Sequence, residues 1–217
     1  EAFDRTMEEI KVIIEERRTQ PREDFISDLV NARDADDKLN DRELFDQIFG
    51  VCGASLSATS RAGGGALYLL YTHDEQRNEL IRDPSLIPEA IEECLRLGSN
   101  GYFTFPRIAT RDTEVGGTRI LKGMVVRPSP LAPNYDPDVF PDPLRFDIHR
   151  KPKRILSFGA GPHHCVGNIL GRPTITIAIT RLLARFPQAY IRDPDFKPIY
   201  GGAVGELRLQ SLPMRVC

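Results

Sequence analysis

The sequence has 217 residues, 41% hydrophobic and 28% charged, with a formal net charge of −2, which is enough apolar chain to bury a sizeable core as one domain. A near-neutral balance gives no electrostatic reason to expect nucleic acid, and no apolar run approaches the roughly 18 uncharged residues that a membrane-spanning helix requires. Cys52, Cys94, Cys165 and Cys217 form no CxxC pair, a pattern that suits a reducing compartment better than a disulfide framework, so the expected location is the cytoplasm. In chain order, EAFDRTMEEIKVIIEERRTQ is amphipathic and predicts a first helix. DRELFDQIFGVCGASLSATSRAGGGALYLLYTHDEQ opens on acidic residues, continues through an apolar stretch and predicts a long helix over about 41–72. Gly63, Gly64 and Gly65 lie inside it. Each costs about 1 kcal/mol relative to alanine, so they are expected to permit close helix packing or a bend.

In IPEAIEECLRL the apolar residues Ile87, Ala90, Ile91, Cys94 and Leu95 recur at helical spacing and predict a helix over about 86–97, with Glu93 and Arg96 three apart on one side. Opposite charges on so apolar a helix are expected to be buried and paired, with a third group satisfying the rest of the arginine fork. The following FPRIATRDTEVGGTRILKGMVVRPSPLAPNYDPDVFPDPLRF breaks short β-branched runs with Gly-Gly, Lys-Gly and prolines, which predicts a small sheet and a meandering loop. A basic cluster, His149-Arg150-Lys151-Pro152-Lys153-Arg154, comes next.

The stretch Phe158-Gly159-Ala160-Gly161-Pro162-His163-His164-Cys165-Val166-Gly167 then places one cysteine in a glycine-rich loop. Its glycines allow positive φ and a close approach of backbone to a flat cofactor. From Val166 onward the sequence predicts a buried helix with Cys165 at its N-terminus, where free N–H groups favour an anionic sulfur. Pro173, about two turns in, is expected to kink that helix at a cost of about 3 kcal/mol. A single cysteine without partners at zinc spacing argues against structural zinc, whereas haem iron takes one axial thiolate.

The pattern Phe158-Gly159-x-Gly161-x-His163-x-Cys165-x-Gly167 resembles the haem loop of the cytochrome P450 family at every fixed position, including the histidine of bacterial members. Glu93-x-x-Arg96 resembles the family's Glu-x-x-Arg pair. The resemblance implies a mainly α fold with small β-sheets, represented by the C-terminal half of a soluble bacterial P450 across 1–217. It implies haem b with an axial thiolate from Cys165, a loop shaped by Phe158, Gly159, Gly161 and Gly167, and haem propionates met by Arg107 and His163. It also implies a third group for the Glu93–Arg96 pair from PDPLRFDIHR, for which Arg145 is the candidate. Because the match covers only the family's C-terminal half, the chain is expected to be a fragment, a processed chain or part of something larger.

The long helix departs from the family. Its Ala-Gly-x-Asp/Glu-Thr-Thr pattern falls on Ala54, Ser55, Leu56, Ser57, Ala58 and Thr59, so the acid and the first threonine are replaced. In the family that acid–alcohol pair relays protons during oxygen activation. The expected function is a monooxygenase with a shifted or substrate-assisted relay, inserting one oxygen atom of O2 into a small hydrophobic, terpenoid-like substrate. Its electrons are expected from a ferredoxin docked on the basic proximal face. The alternatives are a peroxygenase, a relay-independent isomerase, dehydratase or coupling enzyme, and, in another class, a non-catalytic haem-binding or interaction protein.

Overall fold

A computed structural model of the protein describes residues 2–31, 33–34, 37–98, 105–151, 154–202 and 208–216. The chain, expected to form a single domain, divides into two compact units, Glu1–Ser57 and Ala58–Cys217. The physical reason is that its buried apolar residues form two separate clusters.

In the first unit, α1 (Ala2–Thr19) and α2 (Phe25–Asn31) pack together, and β1 (Arg33–Asp34) pairs antiparallel with β2 (Asp37–Lys38). Ile10 and Ile14 of α1 share a small core with Leu44, Phe45 and Ile48 from the start of α3 (Asp41–Tyr71). Helix α3 begins where it does because Asn40 and Glu43 form a reciprocal cap. Asn40 Oδ1 accepts from the Arg42 and Glu43 N–H groups, and Glu43 Oε2 accepts from the Asn40 N–H at 2.9 Å.

The second unit is built around α5 (Ile87–Leu97), which follows α4 (Asp74–Arg82) and a one-turn 3-10 segment, Pro84–Leu86. Ile87, Ala90, Ile91, Cys94 and Leu95 are all buried, as the spacing predicted. They meet Ala62, Ala66 and Leu70 of α3, Ile148 and Ile155 of the following loops, and Ile175, Ile179 and Leu183 of α7 (Asn168–Arg185) in one cluster, while α6 (Leu131–Asn134) is a single turn beside α5. Gln76 of α4 holds the loop at 146–148 as a neighbouring strand would, accepting from the Ile148 N–H and donating to the Phe146 carbonyl.

The predicted small sheets are four further antiparallel pairs among the described residues. Of β3 (Arg107–Ile108), β4 (Thr113–Val115), β5 (Thr118–Ile120) and β6 (Val125–Val126), β3 pairs with β6 and β4 with β5. Of β7 (Tyr190–Ile191), β8 (Tyr200–Gly201), β9 (Arg208–Leu209) and β10 (Met214–Arg215), β7 pairs with β10 and β8 with β9.

The glycine expectation resolves to packing, and two expectations for α7 change. Helix α3 runs unbroken through its glycines. Gly65 serves close packing, since a Cβ there would sit 3.6 Å from Gly98 Cα, whereas one on Gly63 or Gly64 would meet nothing within 4 Å. Helix α7 starts at Asn168 rather than Val166, and Pro173 lies within its length. It is also buried on one face only. Val166, Ile169 and Leu170 are 86%, 75% and 73% exposed, whereas Ile175, Ile179 and Leu183 are buried.

Candidate active site

The site grows from the Glu93–Arg96 pair, both of whose side chains are fully buried. Arg96 donates from Nε to Glu93 Oε2 at 2.7 Å and from Nη2 to Oε1 at 2.8 Å, a fork-to-fork match. Its remaining N–H groups reach the carbonyls of Asn134 and Pro143 at 2.7 Å and of Arg145 at 3.3 Å. No donor of the buried guanidinium is left over, which is the condition under which a buried ion pair is tolerated.

The third group differs from the expected one. Arg145 is exposed and contributes only its main-chain carbonyl. The side chain that reaches Glu93 is Arg150, whose Nε lies 3.0 Å from Oε1, with its other nitrogens on the carbonyls of Pro141, Asp142 and Arg145. Both arginines lie in PDPLRFDIHR, and only the turn of this loop decides which points inward.

Asn134, 1% exposed, carries this charged core to the cysteine loop. Its Nδ2 donates to the Arg96 carbonyl and to Ser157 Oγ, and its Oδ1 accepts from the Leu156 N–H at 2.8 Å. Ser157 Oγ in turn donates to the Leu95 carbonyl at 2.7 Å. The two residues ahead of Phe158 are thereby pinned to the end of α5. A lone asparagine in a proline-rich loop gave no sequence signal of this role.

Beyond Ser157 the loop turns twice through left-handed glycines, Gly159 at φ +70° and Gly161 at φ +73°, a region that side-chain-bearing residues rarely enter. A 3-10 turn, Gly161–His163, follows. The Cys165 N–H then donates back to the Phe158 carbonyl at 2.9 Å, closing the loop. Cys165 is exposed, and a Cβ on Gly167 would lie in ordinary contact with its Sγ, at 3.7 Å.

These features fit a haem. One thiol presented by this loop suits an iron whose other ligands come from a macrocycle, and among the described residues no group of three or more His, Cys, Asp or Glu could hold a metal ion. The exposed apolar side chains of Val166, Ile169 and Leu170 follow the sulfur directly in the chain.

Arg107 and His163 are both exposed. Arg107 stands on β3, where its guanidinium donates to the carbonyls of Phe105 and Pro106. Ser57, Ala58 and Thr59 lie half-buried in α3, Ser57 closing the first unit and the other two opening the second.

The basic cluster is less positive than its sequence suggests. His149 Nε2 lies 3.0 Å from Glu79, Lys151 Nζ 3.2 Å from Glu89, and Arg150 belongs to the Glu93 core. Pro152 and Lys153 lie outside the described residues.

Fold and loop together fit a protein of the haem-thiolate class, and comparison with known proteins gives the family. The family model described as Cytochrome P450 matches residues 1–217. The chain belongs to the cytochrome P450 family. It is 39% identical over 184 residues to the mycinamicin IV hydroxylase/epoxidase of Micromonospora griseorubida, covering 84% of this chain and 46% of that one. It is 42% identical over 179 residues to the nocardicin C N-oxygenase of Nocardia uniformis subsp. tsuyamanensis, covering 81% and 44%. Among solved structures, the mixed-function P450 MycG superposes with a TM-score of 0.91 at 35% identity, covering 99% of this chain and 55% of that one. The chain thus spans about half the length of the curated relatives it matches.

Proposed function

We propose that this chain supplies the haem-holding part of a bacterial-type P450 monooxygenase, with Cys165 as the axial ligand. The observation that carries the reading is the anchored loop, which presents an exposed cysteine from a glycine turn tied through Asn134 to the buried Glu93–Arg96–Arg150 cluster. When bound, haem supplies the activation of dioxygen for insertion of one oxygen atom into a C–H bond of a hydrophobic substrate.

The chain's own residues then have distinct tasks. Phe158 and the loop glycines shape the thiolate side. Arg107 and His163, both exposed and able to donate charge-assisted hydrogen bonds, hold the propionates. Ser57 and Thr59 are the hydroxyl-bearing positions for moving protons on the distal side, where the family's acid is replaced. The relatives' names give mycinamicin IV and nocardicin C as the molecules acted on. The substrate proposed for this chain is a small hydrophobic, terpenoid-like molecule, with those two compounds as the comparison.

We also propose a ferredoxin-type protein as electron donor. With His149 and Lys151 paired to carboxylates, its association with this face has a shallow salt dependence.

The test is optical. Reduced full-length protein with carbon monoxide gives the long-wavelength band of thiolate-ligated haem, and Cys165→Ala abolishes it; a protein that takes up no haem overturns the reading. The replacement of the acid–alcohol pair by Ser57 and Ala58 favours a second reading, peroxide-driven turnover. Product formed with hydrogen peroxide but not with a ferredoxin system and O2 selects it.

A further inference from the structure

The two main-chain groups of Cys165 are each held by a neighbour, and one side chain holds both neighbours. The Cys165 N–H donates to the Phe158 carbonyl at 2.9 Å, and the Cys165 carbonyl accepts from Asn168 Nδ2 at 2.8 Å. The Arg172 guanidinium stacks over the Phe158 ring, 4.3 Å from its centroid. Its Nη1 donates to Asn168 Oδ1 at 3.2 Å, which fixes the way the Asn168 amide faces. Arg172 is itself braced by a two-pronged contact with Glu92 on α5, Nε to Oε1 at 2.5 Å and Nη2 to Oε2 at 3.2 Å.

We propose that Arg172 is a positioning residue for the thiolate, setting the backbone of Cys165 by gripping Phe158 on one side and Asn168 on the other, with Glu92 as its brace. The geometry requires a planar cation. A guanidinium can lie flat on an aromatic ring while its edge donates in a fork, whereas an ammonium carries the charge but can do neither. The proposal rests on the haem-thiolate reading only where it concerns iron ligation.

Two measurements on the full-length protein test it, using Arg172→Met, Arg172→Lys and Glu92→Gln. The first is amide hydrogen exchange in the haem-free protein over residues 158–168, with the β4–β5 hairpin as internal reference. Loss of the stack and fork is expected to speed loop exchange on the order of tenfold in both Arg172 variants, with Glu92→Gln between them and the parent and the hairpin unchanged. The second is the rate at which the reduced carbon monoxide complex loses its thiolate band in mild denaturant, expected to rise in the same order.

A salt bridge of purely structural value is restored by lysine, so an Arg172→Lys protein equal to the parent in both measurements overturns the proposal. Unchanged loop exchange in Arg172→Met does the same, and so does faster exchange with an unaltered thiolate band. If Arg172→Met fails to fold, the lysine and glutamine variants decide. A parent that binds no haem sinks the Cys165–iron reading, and the exchange measurement then decides alone whether Arg172 anchors the loop.

Discussion

Arg150 Nε lies 3.0 Å from Glu93 Oε1 across 57 residues of sequence, and this contact joins the α5 helix to the loop that leads into the cysteine turn. Removing it takes the donor from the carbonyls of Pro141 and Asp142, leaves the Arg145 carbonyl to Arg96, and leaves the buried Glu93 carboxylate with Arg96 as its remaining cation. Arg150→Ala is expected to lower unfolding free energy by about 1.5–3 kcal/mol, the range for losing hydrogen bonds to a charged group, because Arg96 still pairs with Glu93. Arg145→Ala should stay within about 0.5 kcal/mol, because its side chain is exposed and its carbonyl survives the substitution. Chemical denaturation of the two variants side by side decides; equal losses would show that Arg145 shares the role.

Helical spacing alone located α5, since five apolar residues and one charged pair on eleven positions leave a single way to bury the helix. The cysteine loop was equally legible, because left-handed turns at Gly159 and Gly161 demand glycine. What escaped the sequence was long-range. Arg145 and Arg150 are the same residue type five positions apart, and choosing between them needs the course of a loop that no local preference specifies. The roles of Asn134 and Arg172 depend on partners 22 and 80 residues away. The late start of α7 follows from the turn hydrogen bond of the Asn168 N–H to the Cys165 carbonyl, whereas the apolar run pointed to Val166.

Asn134 uses both ends of its amide, so no other side chain substitutes for it. The Leu156 N–H requires an oxygen, and the Arg96 carbonyl requires an N–H. Asn134→Ala strands both partners in the interior and is expected to cost about 2–4 kcal/mol. Asn134→Asp keeps the first contact but sets a carboxylate oxygen against the Arg96 carbonyl, so it does not rescue. Melting curves of the two variants check this. An aspartate variant as stable as the parent would mean that the contact to Arg96 contributes nothing.

The glycines near the end of α5 and in α3 have opposite expectations. A Cβ on Gly98 would lie 2.8 Å from the Cys94 carbonyl oxygen, which cannot retreat because it caps the helix through the Gly98 N–H at 2.7 Å. Gly98→Ala is expected to destabilise by about 1–3 kcal/mol through that clash. Gly63→Ala and Gly64→Ala put a methyl into open space within a helix and should each stabilise this chain by up to about 1 kcal/mol. Denaturant midpoints of the three variants test the contrast. A stabilising Gly98→Ala would show that the α5 terminus relaxes freely.

The cysteines separate by reactivity and pH. Cys94 is buried, and desolvation, reinforced by the neighbouring Glu93 carboxylate, raises its thiol pKa far above the usual value. The native state therefore keeps the proton while the unfolded thiol loses it near pH 8.5, so this group's contribution to stability falls as pH rises above about 8.5. Cys52 and Cys165 are exposed. Alkylation of native haem-free protein, mapped by mass spectrometry, is expected at both of these and not at Cys94. Under the proposed ligation, loading with haem protects Cys165 alone. Cys94→Ala should flatten the decline in stability above pH 8.5, at some cost in packing. Rapid labelling of Cys94 in the native state would contradict its burial, and unprotected Cys165 in a haem-loaded protein would require another iron ligand.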